Sequence, residues 1–212
     1  MAEPKGRRPP IVGPFIVGLT GSIGMGKTET AKLFARLGIP VHDADAVVHA
    51  LYDRNGAAVE PIGKAFPQVV TNGRVDRAML AALLAGDEAA FQRLEAIVHP
   101  LVREAERRFL DGAIQRGDKI VVLDIPLLFE TGGASRVDAI VVVSAPADIQ
   151  RARVLAREGM TLEKLEAIHA RQIPDVDKRA KADFVIETDK GLEHAFAAVK
   201  DIVAQVRAGK RT

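Results

Sequence analysis

The chain has 212 residues, 48% of them hydrophobic, and its 30 basic and 28 acidic residues leave a formal net charge of +2. This length suits one domain with a sizeable core, the hydrophobic fraction excludes a disordered chain, and the charge balance argues against nucleic-acid binding, which usually needs a basic face. The lack of cysteine excludes a disulfide framework, a thiolate metal site and a cysteine nucleophile, and it fits a reducing compartment.

The first predicted segment is a flexible arm over residues 1–14. It begins MAEPKGRRPP, which is basic and rich in proline, and no long apolar segment follows, so it does not read as a secretory signal. No apolar stretch of the chain reaches the roughly 20 residues of a membrane-spanning helix. We therefore expect neither a membrane nor a nucleic acid as a partner, and the sequence indicates no obligate protein partner.

The next segment predicts a strand, a phosphate-binding loop and a helix, in that order. The apolar run FIVGLT (15–20) precedes GSIGMGKT (21–28), which matches the pattern G-x-x-x-x-G-K-[ST]. Glycines let backbone N–H groups approach phosphate without an intervening Cβ atom, and the following helix adds its positive dipole end. We expect Lys27 to contact the β- and γ-phosphates and Thr28 to bind Mg²⁺. The candidate ATP-binding residues are Gly21, Ile23, Gly24, Met25, Gly26, Lys27 and Thr28.

A second strand is predicted in IPVHDAD (39–45), which ends in two acidic residues. Alternation along a strand would place Asp43 and Asp45 on one face, about 6–7 Å apart. One carboxylate would accept a proton from an attacking hydroxyl or orient it, and the other would hold an acceptor group or a metal-bound water. The alternative is that Asp45 only caps a helix that starts at Ala46.

The stretch 46–118 is largely helical by pattern and carries no convincing strand. Its second half, EAAFQRLEAIVHPLVREAERRFLDGAI, predicts one or two amphipathic helices with a bend near Pro100. We interpret the whole stretch as a helical insertion over the edge of the active site, where a phosphate acceptor would bind. His99 and Arg103 would share a helix face there if a helix starts near Pro100, and arginine suits contact with a substrate phosphate. The alternative for the histidine is a structural role.

A third strand is predicted in KIVVLDIPLL (119–128), where Asp124 follows the apolar residues IVVL. This is the position and residue type of an acid that lies near Mg²⁺ in P-loop enzymes. The alternative is a turn acid before Pro126. We favour the metal role, directly or through water.

Two arginines follow the fourth predicted strand, DAIVVVSA (138–145), in QRARVLARE. Arg153 and Arg157 are four residues apart and are predicted to share a helix face as a lid over a phosphate chain. In that role they would neutralise charge as an arginine finger does, an effect of about 10³–10⁵ in rate. The alternative is a solvated basic face.

With a fifth strand predicted in ADFVIET (182–188), the chain alternates apolar strands with helical patterns. This alternation predicts an α/β fold with a parallel sheet of about five strands flanked by helices on both sides. Ligands of such sheets bind at the carboxyl ends of the strands. The phosphate-binding loop, the two aspartates of the second strand and Asp124 all fall at that edge.

Taken together, these motifs resemble those of the dephospho-CoA kinase family over about residues 15 to 200. The resemblance rests on IVGLTGSIGMGKT, LGIPVHDAD, HPLVR, DIPLLFE, RARVLARE and RQIPDVDKRAKADFVI. Two residues depart from the family: Ser22 stands where glycine is usual and Met25 where serine is usual. Both are variable loop positions, so phosphate binding should survive.

The resemblance implies a nucleoside-monophosphate-kinase-like fold: a core of residues 15–45 and 119–212 with a lid at about 146–180, and a helical CoA-binding insertion at 46–118. It implies ATP-dependent phosphorylation of the ribose 3′-hydroxyl of dephospho-CoA, the last step of coenzyme A synthesis, with Mg²⁺ as cofactor. Residue by residue, Asp45 falls on the catalytic base, and Lys27 and Thr28 on the phosphate and Mg²⁺ ligands. In the same way, Arg153 or Arg157 falls on the lid arginine, and Asp43, His99 and Arg103 fall on the acceptor side. Gln172 and the TDKG loop (188–191) lie where the family approaches the nucleotide.

Two other functions remain open from the sequence. One is a P-loop kinase for another small acceptor, such as a nucleoside, a sugar or a shikimate-like molecule. The other is a nucleotide-dependent switch without acceptor turnover, in which Asp45 would be dispensable. The acidic residues after the second strand and the helical insertion favour a kinase, and we expect it in the cytoplasm.

Overall fold

The computed structural model describes residues 13–209. Most of the predicted basic arm, residues 1–12, lies outside this range. Within it, no helix combines the length and the apolar character that crossing a membrane requires.

The sequence forms a five-stranded sheet in the order β2-β5-β1-β6-β7. The strands of this sheet are β1 Phe15–Thr20, β2 Val41–Asp43, β5 Ile120–Asp124, β6 Ala139–Ser144 and β7 Phe184–Glu187. β1 pairs in parallel with β5 and β6, and β6 pairs in parallel with β7. Every residue of β5 and β6 is buried, as expected of strands covered on both faces. The predicted α/β fold with a parallel sheet of about five strands is confirmed.

Nine helices accompany the strands between residues 13 and 209. They are α1 Lys27–Arg36, α2 Ala44–Tyr52, α3 Val59–Ala65, α4 Arg77–Leu84, α5 Glu88–Arg116, α6 Ala147–Leu155, α7 Leu162–His169, α8 Asp175–Ala180 and α9 Leu192–Arg207. Short 3₁₀ helices lie at Pro67–Val69 and Gly133–Arg136.

The described chain divides into two compact units. The sheet unit comprises the described residues up to His42 and from Gly112 onward. In its core, Val17 and Leu19 of β1 and Val141 of β6 pack with Phe34 of α1 and Val199 of α9. The apolar residues of the strands thus provide the surface that the flanking helices cover, which holds the strand ends in place.

The helical unit is Asp43–Asp111, and it has a hydrophobic core of its own. Ile62 of α3, Leu80 of α4, and Leu94 and Val98 of α5 are buried together with Val69. The apolar positions of α5 therefore face this core, which explains their helical spacing in the sequence.

The helical unit also contains a small hairpin that the sequence analysis did not predict. β3 Val70–Thr71 and β4 Arg74–Val75 pair antiparallel across Asn72 and Gly73. Both turn residues have positive φ values, 52° and 74°, as a two-residue turn of this kind requires. The expectation of no strand in this stretch was wrong, although the Asn-Gly pair was a usable signal.

Two other expectations differ in their boundaries. The second strand ends at Asp43 rather than Asp45, because the chain enters α2 at Ala44. The second half of the helical stretch is a single helix of 29 residues that begins at Glu88 and contains Pro100, rather than one that begins near Pro100. His99 and Arg103 still stand four residues apart on it.

Candidate active site

The glycine-rich loop connects β1 to α1 at the carboxyl edge of the sheet, where the phosphate-binding motif was predicted. A Cβ atom on Gly21 would lie 2.4 Å from Val143 Cγ2 and 2.8 Å from the Val143 carbonyl oxygen, so a side chain does not fit there. Gly26 precedes α1 with φ of 90°, a left-handed conformation that favours glycine. The spacing of glycines therefore reflects close packing of the loop against β6 and the sharp entry into α1.

Lys27 and Asp124 form the most direct polar contact of this edge. Lys27 Nζ lies 2.5 Å from Asp124 Oδ1, at the first residue of α1 and the last residue of β5. The Asp124 residue is only 2% exposed. Thr28 follows Lys27 and is exposed. The structure thus brings together a lysine and a buried carboxylate that the sequence placed at the ends of separate elements.

The backbone of the loop is held by side chains from distant parts of the chain. Gln150 Nε2 donates to the Ile23 carbonyl oxygen at 2.7 Å, and the Ile23 N–H donates to Gln172 Oε1 at 3.3 Å. Thr188 Oγ1 donates to the Met25 carbonyl oxygen at 2.9 Å. These contacts fix peptide orientations in the loop, as a preorganised anion site requires.

Arg153 takes part in the same network. Its Nη1 donates to Thr188 Oγ1 at 2.9 Å and makes a long contact of 3.5 Å with the Gly24 carbonyl oxygen. Its Nη2 donates to the Thr188 carbonyl oxygen at 2.8 Å. Arg153 therefore links the TDKG loop to the phosphate-binding loop.

Arg157 has a different environment. Helix α6 ends at Leu155, so Arg157 lies beyond it in an exposed turn. The prediction that Arg153 and Arg157 share a helix face is wrong, because the helix is too short to include both. Only Arg153 contacts the phosphate-binding loop through the hydrogen bonds of this structure.

A second charge pair in the sheet unit was missed by the sequence analysis. Lys178 of α8 is fully buried, and its Nζ lies 2.9 Å from Glu130 Oε1. Glu130 also accepts a hydrogen bond from the Ile173 N–H at 2.9 Å. Burial raises the pKa of Glu130, but the Lys178 ammonium and the Ile173 N–H outweigh that effect, so the pKa lies below its ordinary value.

The two aspartates after the second strand have different roles in the local structure. Asp43 caps α2, because its Oδ1 accepts a hydrogen bond from the Ala46 N–H at 2.9 Å. Asp45 lies in the first turn of that helix, with an exposed carboxylate. The expectation of one shared strand face was wrong, and the capping residue is Asp43 rather than Asp45. Among residues 13–209, no hydrogen bond gives the Asp45 side chain a role in the local structure.

His99 and Arg103 lie along one surface groove on α5. His99 Nε2 is 3.7 Å from Glu95 Oε1, and both side chains are about half exposed. Arg107 and Arg108 extend the basic surface, and both pair with Glu104, whose pKa falls to about 2 through hydrogen bonds from these two arginines. This groove offers exposed cationic groups rather than a prebuilt site.

Another groove of the helical unit is lined by residues of α2, β4 and α4. Arg77 Nη1 approaches both ring nitrogens of His49, at 2.9 Å from Nε2 and 3.2 Å from Nδ1. Tyr52 lines the same groove, and burial raises the pKa of its phenol, although Arg77 acts in the opposite direction. The sequence analysis named none of these residues, and no motif marked them.

No group of three or more histidines and carboxylates that could hold a metal ion by themselves occurs within residues 13–209. Asp124 is the buried carboxylate of the loop edge, and it already faces a cationic atom, Lys27 Nζ. Oxygen ligands of this kind suit Mg²⁺, which usually keeps several waters and takes one or two protein carboxylates plus substrate phosphates. Asp124 and Thr28 therefore fit an ion that arrives with a nucleotide.

The chain matches known proteins over most of its length. The family model for dephospho-CoA kinase matches residues 15–194. A dephospho-CoA kinase of Rhodopseudomonas palustris (strain BisB18) is 55% identical over 189 residues, which cover 89% of this chain and 94% of that relative. One from Mesorhizobium japonicum is 57% identical over 193 residues, covering 91% and 97%.

Solved structures give the same fold. A crystal structure of a Thermus thermophilus protein has a TM-score of 0.77 and 37% identity, and it covers 91% of this chain and 98% of its own. The dephospho-CoA kinase of Campylobacter jejuni has a TM-score of 0.63 at 21% identity, covering 90% and 96%, and it shares the fold.

Proposed function

Because this chain belongs to the dephospho-CoA kinase family, we propose that it transfers the γ-phosphate of Mg-ATP to the ribose 3′-hydroxyl of dephospho-CoA. The products are coenzyme A and ADP, and the reaction is the final step of coenzyme A synthesis. The observation that carries the proposal is the contact between Lys27 and the buried Asp124 beside the glycine-rich loop. The contact supports the proposal because it brings a lysine, which suits phosphate, next to a carboxylate, which suits Mg²⁺.

In the sheet unit, the residues from Gly21 to Thr28 bind the phosphates of ATP. Phosphoryl transfer leaves little covalent chemistry to a protein, so positioning and charge stabilisation dominate. Lys27 contacts the β- and γ-phosphates, and the backbone of Ile23, Gly24, Met25 and Gly26 surrounds them. Thr28 and Asp124 would hold Mg²⁺, directly or through water, and the bound ion would neutralise charge on the phosphates of ATP.

The proton of the attacking hydroxyl passes to Asp45, which acts as the catalytic base. A bond forms between the ribose 3′-oxygen and the γ-phosphorus, and the bond from that phosphorus to the bridging oxygen of ADP breaks. Support for this role comes from the exposed carboxylate of Asp45 and from the capping by Asp43, which leaves Asp45 free of that task. Asp43, His99 and Arg103 contact the acceptor.

Residues 46–118 serve as the acceptor-binding insertion, and residues from about 146 to 180 serve as the lid. Within the lid, Arg157 is the arginine that supplies charge to the transferring phosphoryl group, since it is exposed and lies outside the helix. Arg153 supports the loop through Thr188 and Gly24. The cysteine-free composition fits a cytoplasmic enzyme.

The test is the rate of ADP release from Mg-ATP with different acceptors. We expect strong stimulation by dephospho-CoA and none by nucleosides, sugars or shikimate. Stimulation by one of those acceptors alone would identify a different small-molecule kinase. Tight ATP binding without stimulation by any acceptor would instead indicate a nucleotide switch.

A further inference from the structure

The fully buried Lys178 is unusual for this chain. Lys178 and Asp124 are the two buried residues among the Asp, Glu, Lys and Arg of residues 13–209. Neither Lys178 Nζ nor Glu130 Oε2 has a hydrogen-bond partner among the described residues, so the contact is an ion pair with incomplete hydrogen bonding. Such pairs add little net stability, because apolar side chains of similar volume often serve as well. Stability alone therefore does not account for the pair.

Glu130 connects this pair to the phosphate-binding loop. Its Oε1, which faces Lys178, also accepts the hydrogen bond from the Ile173 N–H. The residue before Ile173 is Gln172, whose Oε1 accepts from the Ile23 N–H inside the loop. The contacts lead from Lys178 on α8 to Glu130, which follows β5, and from Glu130 to the Ile173 N–H. The neighbouring Gln172 then contacts the phosphate-binding loop.

Ile23 is held from both sides by glutamine side chains. Gln172 binds its N–H, and Gln150 binds its carbonyl oxygen at 2.7 Å. The N–H belongs to the Ser22–Ile23 peptide and the carbonyl to the Ile23–Gly24 peptide, so neither of these consecutive peptide groups can rotate without breaking a hydrogen bond. The orientation of the neighbouring loop N–H groups therefore depends on the position of Gln172. That position depends in turn on the hydrogen bond from the Ile173 N–H to Glu130.

We propose that Glu130 and Lys178 are positioning residues for nucleotide binding, which fix the turn at Ile173 so that Gln172 holds the Ser22–Ile23 peptide in its binding orientation. Lys178 keeps the Glu130 carboxylate ionised and aimed at the Ile173 N–H. Neither residue touches the nucleotide. This inference rests on the proposed function of the sheet unit as the ATP site.

The test is the dissociation constant of Mg-ATP, measured by titration calorimetry on the full chain without an acceptor. The main variant combines Glu130→Leu with Lys178→Met, which replaces the pair with apolar side chains. We expect its melting temperature to stay close to that of the wild type, because such replacements are often neutral or stabilising. We expect ATP affinity to fall about two- to tenfold, the effect of one oriented hydrogen bond.

A second variant keeps the test decisive if the first does not fold. Gln172→Ala leaves the buried pair intact and removes the contact with the Ile23 N–H, so we expect a loss of ATP affinity at least as large. Adding Gln172→Ala to the double variant should cause no greater loss than Gln172→Ala alone, because the residues act in one chain of contacts. Lys200→Met, on the exposed surface of α9, is the matched control and should bind Mg-ATP as the wild type does.

Kinetics provide a readout that a purely structural role would not change. In the double variant the KM for ATP should rise, while the KM for dephospho-CoA and the kcat at saturating ATP stay within about twofold of wild type. Wild-type ATP affinity in either the double variant or Gln172→Ala would overturn the proposal. If the wild-type protein binds Mg-ATP but does not phosphorylate dephospho-CoA, the proposed acceptor is wrong and this test still applies. If the wild-type protein does not bind Mg-ATP, both the proposed function and this inference are overturned.

Discussion

The two units of the protein differ in the burial of their ion pairs. In the sheet unit, the side chains of Lys27 and Asp124 are 15% and 3% exposed, and those of Lys178 and Glu130 are 0% and 14% exposed. In the helical unit, the paired side chains of Lys64 and Glu60 are 76% and 80% exposed. The sheet unit thus contains two buried ion pairs beside exposed ones such as Lys32–Glu29, whereas the pair of Lys64 and Glu60 in the helical unit lies in water.

This difference indicates how each unit recognises its ligand. Exposed ion pairs contribute between about zero and 1 kcal/mol, because water and salt screen them. Breaking a buried pair costs about 3–5 kcal/mol, because one charge is left without compensation. Under the proposed function, we expect the buried pairs of the sheet unit to preorganise a site for the phosphates of ATP, and the exposed groups of the helical unit to take their final positions when an acceptor binds.

The substitution with the largest expected effect should slow the chemical step without disturbing the structure of either unit. Asp45→Asn should reduce kcat by about 10²–10⁴-fold, the usual contribution of a general base. Mg-ATP binding and the melting temperature should not change, since the Asp45 side chain is exposed. Initial-rate kinetics and calorimetry check this, with Glu60→Gln as an exposed control in the same unit. Wild-type turnover in Asp45→Asn would remove this residue from the base role.

Lys27→Ala tests the preorganised charge of the sheet unit. We expect kcat/KM to fall about 10²–10³-fold, comparable to the loss of one donor that stabilises transition-state charge. ATP affinity should fall as well, because Lys27 contacts phosphate in the ground state too. Lys32→Ala, an exposed lysine on the same helix, is the control for both measurements. Unchanged kinetics in Lys27→Ala would discredit the assignment of the phosphate-binding loop.

Arg153 and Arg157 lie close together in the chain, but we expect their substitution to affect stability and rate differently. Arg153→Ala should lower the free energy of unfolding by about 1–3 kcal/mol, because it removes the hydrogen bonds to Thr188 and Gly24. Arg157→Ala should change it by less than about 0.5 kcal/mol, as an exposed substitution, and should lower kcat instead. Urea denaturation and kinetics of both variants provide the comparison. Equal stability losses would show that the anchoring role of Arg153 is wrong.

The smallest expected effect concerns pH. Hydrogen bonds from Arg107 and Arg108 lower the pKa of Glu104 from 4.5 to about 2. The stability that this carboxylate contributes is therefore present above about pH 4.5 and is lost as pH falls towards 2. Glu104→Gln should slightly flatten the fall in stability below pH 4.5, measured by denaturant unfolding at successive pH values. A steeper fall than in the wild type would contradict the assignment.

Much of the sheet unit could be predicted from the sequence, because its signals are local. β1 matches the apolar run from Phe15 to Thr20, and the glycine-rich loop follows it in the predicted place. The length of β2 could not be predicted as well, since Asp43 and Asp45 are both good capping residues and the pattern does not choose between them. In the structure Asp43 is the capping residue, because the Ala46 N–H donates a hydrogen bond to Asp43 Oδ1.

What the sequence could not show depends on contacts between distant residues. Nothing near Lys178 in the chain predicts a buried lysine, because its partner Glu130 lies on another segment. The pattern predicts Arg153 on a lid helix but does not reveal that Thr188 accepts its hydrogen bonds. Asn72 and Gly73 are a different case, because the signal for their hairpin was local and was overlooked.

The most direct test of the account is the product formed from Mg-ATP and dephospho-CoA, analysed by mass spectrometry and phosphorus NMR. The account predicts one added phosphate per acceptor, as a monoester on the ribose 3′-oxygen, with one ADP released for each product formed. Recovery of unmodified dephospho-CoA, or of phosphate at another position, from folded protein that binds Mg-ATP would contradict it.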